Sequence, residues 1–219
     1  MTEETNRNLQ PYSSGDIPGG SGCFYAVVRK IPVVTAVLVA TNILVFIICT
    51  FTGDLLYNVG AVGISLVDSP SQYYRLITSL FLHADNAHIL NNMLLLAFGG
   101  EIVEKAMGSK AYAVMYFLSG ICGTLLTFLH DFLVGNGVIM IGASGAVFGV
   151  MGSLLALVIF KRVRGATLHA PRIVMVLLFS VFSGFRQTNI AVFAHIGGLA
   201  AGFLFGILFS ITGRRGERL

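Results

Sequence analysis

The sequence predicts an all-α, polytopic membrane protein in which six spanning helices form one bundle. Three observations carry this prediction. Charged residues make up 11% of the 219 residues and hydrophobic ones 55%, whereas a soluble globular domain carries about 25% charged. Apolar stretches of helical length recur at 31–51, 89–107, 111–130, 143–160, 172–185 and 190–211. An even number of spans returns both ends to one side, and twelve of the fourteen Lys and Arg then share that side, leaving Arg75 and Arg186 opposite. The positive-inside rule makes the basic side, with both termini, cytoplasmic.

Each element has its own reason. Residues 1–30 contain Glu3, Glu4, Asp16 and a Ser/Gly/Pro-rich cluster at 13–22. They lack the basic-then-apolar layout of a cleaved signal peptide and predict a flexible aqueous tail. After the first span, residues 52–87 form a long external loop. Its Tyr73-Tyr74-Arg75 run and apolar residues suit a segment lying in the membrane interface on aromatic anchors. The segment 132–141 is apolar but holds Gly135 and Gly137, so it predicts irregular backbone that dips into the bilayer and starts the fourth helix near Ser144. The fifth span is short. Its 13–15 apolar residues rise about 22 Å against a hydrocarbon thickness of about 30 Å, which predicts a tilted or loosely held helix. Residues 213–219 are a basic tail. Cys23, Cys49 and Cys122 are far apart, form no metal or redox pattern, and are taken as packing residues.

Three polar groups interrupt the apolar background. The first is Gly142-Ala143-Ser144-Gly145, with Gly149 and Gly152 following. At a helix start Ser144 would sit among unpaired N–H groups, at the positive end of the dipole, where an oxyanion is stabilised. The same glycines also suit close helix packing, with the serine incidental. The second is His195 in the sixth span, followed by Gly198 and Gly202 four residues apart. That spacing allows close approach of another helix and brings an imidazole toward Ser144, although a lone histidine also serves as a simple interhelical hydrogen-bonding group. The third is His83, His88 and Asn92. His88 and Asn92 are four apart, share a helix face, and are both able to donate to one point. His83 belongs to the entry loop and is read as a brace. A zinc site is the rival for these histidines, but their spacing is five and no His-Glu-x-x-His occurs, so no metal is predicted. Asp54, Asp68, Asp85 and Asp131 lie in loops or margins, which leaves a Ser/His dyad as the simpler arrangement than a triad.

Arg75, the His83/His88/Asn92 set, Glu104 with Gly108, Gly142-x-Ser144-Gly145 and Ala194-His195-x-x-Gly198-x-x-x-Gly202 occur in this order between residues 75 and 202. Together they resemble the rhomboid intramembrane serine proteases, of the bacterial six-helix type. The resemblance implies Ser144 as nucleophile, His195 as general base and then acid, and an oxyanion hole of His88, Asn92 and the Ser144 backbone. Gly142, Gly145, Gly198 and Gly202 would support the site. Phe148 stands where the family often has a tyrosine packed on the catalytic histidine. Tyr74 replaces the tryptophan that often precedes the loop arginine. Glu104 and Lys105 resemble a structural feature. The implied domain is 31–212, and the implied substrates are transmembrane proteins that enter sideways from the lipid bilayer past the fifth span. No cofactor, metal or nucleic acid is implied, and the six-span form suggests a bacterial plasma membrane. Two other classes remain: a catalytically inactive rhomboid-like protein that binds client helices, and a small transporter whose polar path is lined by His88, Asn92 and His195.

Overall fold

A computed structural model of the chain describes residues 32–63, 69–135, 139–163, 169–185 and 192–212. The two predicted tails, 1–30 and 213–219, and residues 186–191 lie outside the described residues. The helices are α1 (Val33–Thr52), α2 (Leu55–Gly60), α3 (Arg75–Thr78), α4 (Asn86–Met107), α5 (Ser109–Val134), α6 (Ser144–Ile159), α7 (Ala170–Phe185) and α8 (Val192–Thr212). Short 3₁₀ turns at Pro70–Gln72 and Ser79–Phe81 flank α3. The protein is thus an all-α polytopic membrane protein, and the six long helices correspond to the six predicted spans. By length and composition, α1, α5 and α8 are each able to cross a membrane, while α6 is a shorter apolar helix of 16 residues.

Helix boundaries follow local chemistry. Asp85 caps α4 by accepting the His88 N–H at 2.8 Å, an arrangement that stabilises a helix start by about 1 kcal/mol. Gly108, at φ +82°, separates α4 from α5 within a single residue. The third span runs farther than predicted: α5 continues to Val134, so Phe132, Leu133 and Val134 are helical rather than part of an irregular loop. The apolar run meets no breaker until Gly135, which takes the left-handed C-terminal conformation at φ +75°. The fifth span also starts earlier, with Pro171 in its first turn, where a missing N–H is harmless. Its 16 residues still rise only about 24 Å, below the hydrocarbon thickness.

Two tertiary devices position the centre of the bundle. At one end, the buried Glu104 carboxylate accepts from the Val34 N–H (3.0 Å), the Thr35 N–H (2.7 Å), the Thr35 hydroxyl (2.8 Å) and the Ser109 hydroxyl (2.7 Å). One carboxylate therefore caps the start of α1 and ties it to α4 and α5. Along the middle, α6 is sheathed by its neighbours, with every residue from Gly145 to Leu154 buried. Its closest neighbour is α8. A Cβ added at Gly198 would stand 1.9 Å from the Gly145 carbonyl oxygen, and one added at Gly202 1.9 Å from that of Gly149. The Ser153 hydroxyl donates to the Gly202 carbonyl at 2.6 Å. In hydrocarbon, such contact, rather than exclusion of water, holds helices together. Farther along, the Arg162 guanidinium donates to the Ser210 carbonyl, its Nε at 3.1 Å, and so satisfies an acceptor in the last turn of α8.

Candidate active site

Ser144 is the first residue of α6, and no side chain caps that helix end. The backbone leading into it is held from outside the helix. Val62 and Met140 exchange a pair of antiparallel hydrogen bonds (3.1 and 2.7 Å), and the Gly142 N–H donates to the Ser79 carbonyl at 2.9 Å. The external loop is therefore stitched to the segment before Ser144. Its own anchors are internal too: the Arg75 guanidinium donates to the Ala61 carbonyl (2.9 Å) and the Tyr74 hydroxyl to that of Val59 (2.9 Å).

Gly142 adopts φ +120°, and a Cβ there would lie 2.7 Å from Cε1 and 2.9 Å from Nε2 of His88. Glycine is required twice over, for the backbone angle and for room. The His88 imidazole thus lies against the backbone two residues before Ser144. On another side it meets His83, the two rings lying edge to face with centroids 5.1 Å apart. One turn along α4, Asn92 is buried and its Nδ2 has no hydrogen-bond partner among the described residues. A buried donor without a partner is uncommon.

His195 is buried in the first turn of α8, and its ring stacks on Phe148 with centroids 4.2 Å apart and planes 1° from parallel. Phe148 follows Ser144 by four residues, so both project from the same face of α6. The neighbouring backbone agrees: the Ala194 carbonyl oxygen is 3.3 Å from where a Cβ on Gly145 would stand and 2.5 Å from one on Gly123 of α5. Glycines on α5 and α6 let the start of α8 settle between them. The chain thus brings His88 against Gly142 just before Ser144, and His195 onto Phe148 one turn after it, with Gly145, Gly198 and Gly202 allowing the close approach of α8 to α6.

His83 occupies the connection preceding α4 and is fully buried. Among the described residues neither ring nitrogen makes a hydrogen bond of good geometry, although the Phe81 carbonyl is close by. Burial first, and the neighbouring His88 second, push its pKa down to about 3, so the ring is neutral at physiological pH. Sequence reasoning missed two contributors. Asp85 was legible as a helix cap from its place three residues before His88. Ser79 was not, because it acts through its carbonyl and its side chain gives no signal.

Residues 70–212 match the family model described as the Rhomboid domain. The chain belongs to the rhomboid family. Among its relatives is the rhomboid protein YdcA of Bacillus subtilis (strain 168), 31% identical over 186 residues, covering 84% of this chain and 92% of YdcA. The rhomboid protease GluP of the same organism is 31% identical over 195 residues, covering 86% of this chain but 37% of GluP. RHOMBOID-like protein 1 of Arabidopsis thaliana is 32% identical over 169 residues, covering 74% of this chain and 41% of that protein. The match therefore takes in nearly all of YdcA and less than half of the other two. In this rhomboid, Phe148 lies beside His195 and Tyr74 precedes Arg75. Both keep an aromatic surface.

Proposed function

We propose that this rhomboid is an intramembrane serine endopeptidase that cleaves transmembrane segments of other membrane proteins. The observation that supports this reading most directly is the parallel stack of His195 on Phe148, one helical turn from Ser144 on the same face of α6. In the proposed reaction the Ser144 hydroxyl attacks the scissile carbonyl as His195 takes its proton. The oxyanion is held by the Ser144 N–H, the Asn92 amide and His88, a role that fits the unpaired Nδ2 of Asn92. His195 returns the proton to the leaving amine, and water then hydrolyses the acyl-enzyme. A substrate helix has its carbonyls hydrogen-bonded, so it must unwind before attack, and helix-breaking or small residues near the cut favour cleavage. The membrane domain is taken as 31–212 between two cytoplasmic tails, in a bacterial plasma membrane, with substrates entering past the short α7.

The decisive experiment treats purified protein in proteoliposomes with a serine-directed fluorophosphonate and, separately, with a reporter transmembrane substrate. Wild type is labelled and cleaves; Ser144→Ala does neither, and His195→Ala remains folded but inactive. An unlabelled wild type that fails to cleave but retains client helices would establish the inactive, client-binding reading instead. Solute flux in the same vesicles would point to a transporter.

A further inference from the structure

A groove separate from the site described above runs between α1 and α4. It is lined by Pro32, Ala36, Ala40 and Ile43 of α1 and its start and by Ala97 and Glu101 of α4, and is an open groove of about 430 Å³. The same stretches of α1 and α4 carry exposed apolar side chains, with Val37, Leu44, Leu94 and Phe98 each more than half exposed. In a membrane protein such a surface faces hydrocarbon. Glu101 is the exception, a half-exposed carboxylate at one end of the groove, joined to the Lys105 ammonium one turn farther along α4. The depth of this pair is fixed by its neighbour Glu104, which accepts the Val34 and Thr35 N–H groups of the first turn of α1. Glu101 and Lys105 therefore lie where two spans end, at headgroup level.

The dimensions select an occupant. From Pro32 to Ile43 the groove follows about 16 Å of helix. A groove of about 430 Å³, open along that length, suits an extended hydrocarbon chain lying in it. The polar end offers an acceptor and a cation side by side, which complements a headgroup bearing an ammonium donor beside a phosphate. We propose that the groove is a binding site for phosphatidylethanolamine, its acyl chain along Ala36, Ala40 and Ala97, its ammonium on Glu101 and its phosphate on Lys105. Phosphatidylcholine presents the same charges but has no N–H to donate to Glu101. Phosphatidylglycerol lacks the ammonium altogether and brings net negative charge beside the carboxylate.

The test is native mass spectrometry of the full chain, released from micelles that contain equal amounts of phosphatidylethanolamine, phosphatidylcholine and phosphatidylglycerol with identical acyl chains. Wild type retains the ethanolamine lipid by roughly three- to tenfold over each of the others, the range for a partly exposed charged hydrogen bond. Glu101→Gln brings the three lipids to parity with no change in fold, because the substitution is isosteric and exposed. Ala40→Phe fills the groove and lowers retention of all three. Equal retention by wild type, preference for phosphatidylglycerol, or an ethanolamine preference that survives Glu101→Gln overturns the proposal. The readout is binding rather than cleavage, so its failure leaves the proposed peptidase activity untouched.

Discussion

Replacing Gly198 by alanine tests how closely α8 must approach α6. The new Cβ would stand 1.9 Å from the Gly145 carbonyl oxygen, while ordinary contact begins at 3.4 Å, so the two backbones must separate by about 1.5 Å at that level. Both partners are backbone, so no side chain is able to rotate away. Gly145 adjoins Ser144, and Gly198 lies one turn after His195, so the separation falls between the proposed nucleophile and its base. Misplacement of a reacting group by about 1 Å costs on the order of 10²-fold in rate, and overpacking a filled interface destabilises by about 1–3 kcal/mol. The expected outcome is therefore a kcat at least about 10²-fold lower, with a modest fall in thermal midpoint. The assay is initial cleavage of a reporter transmembrane substrate in proteoliposomes, alongside fluorophosphonate labelling. Gly63→Ala is the control, since nothing lies within 4 Å of its Cβ, and it leaves both quantities unchanged. A Gly198→Ala protein that cleaves at the wild-type rate refutes the argument that glycine contact sets the spacing of the dyad.

Other expectations follow from the same contacts. Glu104→Ala removes four hydrogen bonds and leaves the start of α1 uncapped, which should lower stability in micelles by roughly 2–4 kcal/mol, with Glu104→Gln milder; thermal unfolding measures it. The edge-to-face contact of His83 with His88 predicts coupling in a double-mutant cycle. His83→Ala and His88→Ala should each slow cleavage, and their effects should fall short of additivity by about 0.5–3 kcal/mol; strict additivity means that His83 only braces the loop. Finally, His83 is held neutral down to about pH 3 by burial, then by His88, with the Phe81 carbonyl and then Asp85 acting in the opposite sense. The unfolded chain takes up this proton near pH 6.5. Stability therefore declines as pH falls from about 6.5 toward 3, and His83→Phe flattens that acid limb of an unfolding-versus-pH curve.

Apolar length and spacing made the six spans legible, because hydrocarbon forces every buried backbone group into a helix and so leaves a simple mark on composition. The glycines at 198 and 202 were legible as a contact face for the same reason. Ends were harder to place. The third span was expected to stop at 130, yet helix continues to Val134, since an apolar residue gives no sign whether it is helical or looped until a glycine ends the run. The external loop was read as a segment resting on the interface, but the bonds from Val62 to Met140 and from Gly142 to Ser79 are made by backbone atoms common to all residues. No pattern of side chains announces them. Glu104 was recognised as structural, but its particular task, receiving the start of a helix some seventy residues earlier, depends on a fold that must already be known.

The position of His195 on α8 carries a consequence for biosynthesis. A ribosome delivers Ser144 first and the imidazole about fifty residues later, and only insertion of α8 between α5 and α6 joins them. On the proposed function, a nascent or truncated chain without α8 therefore holds the hydroxyl without its base.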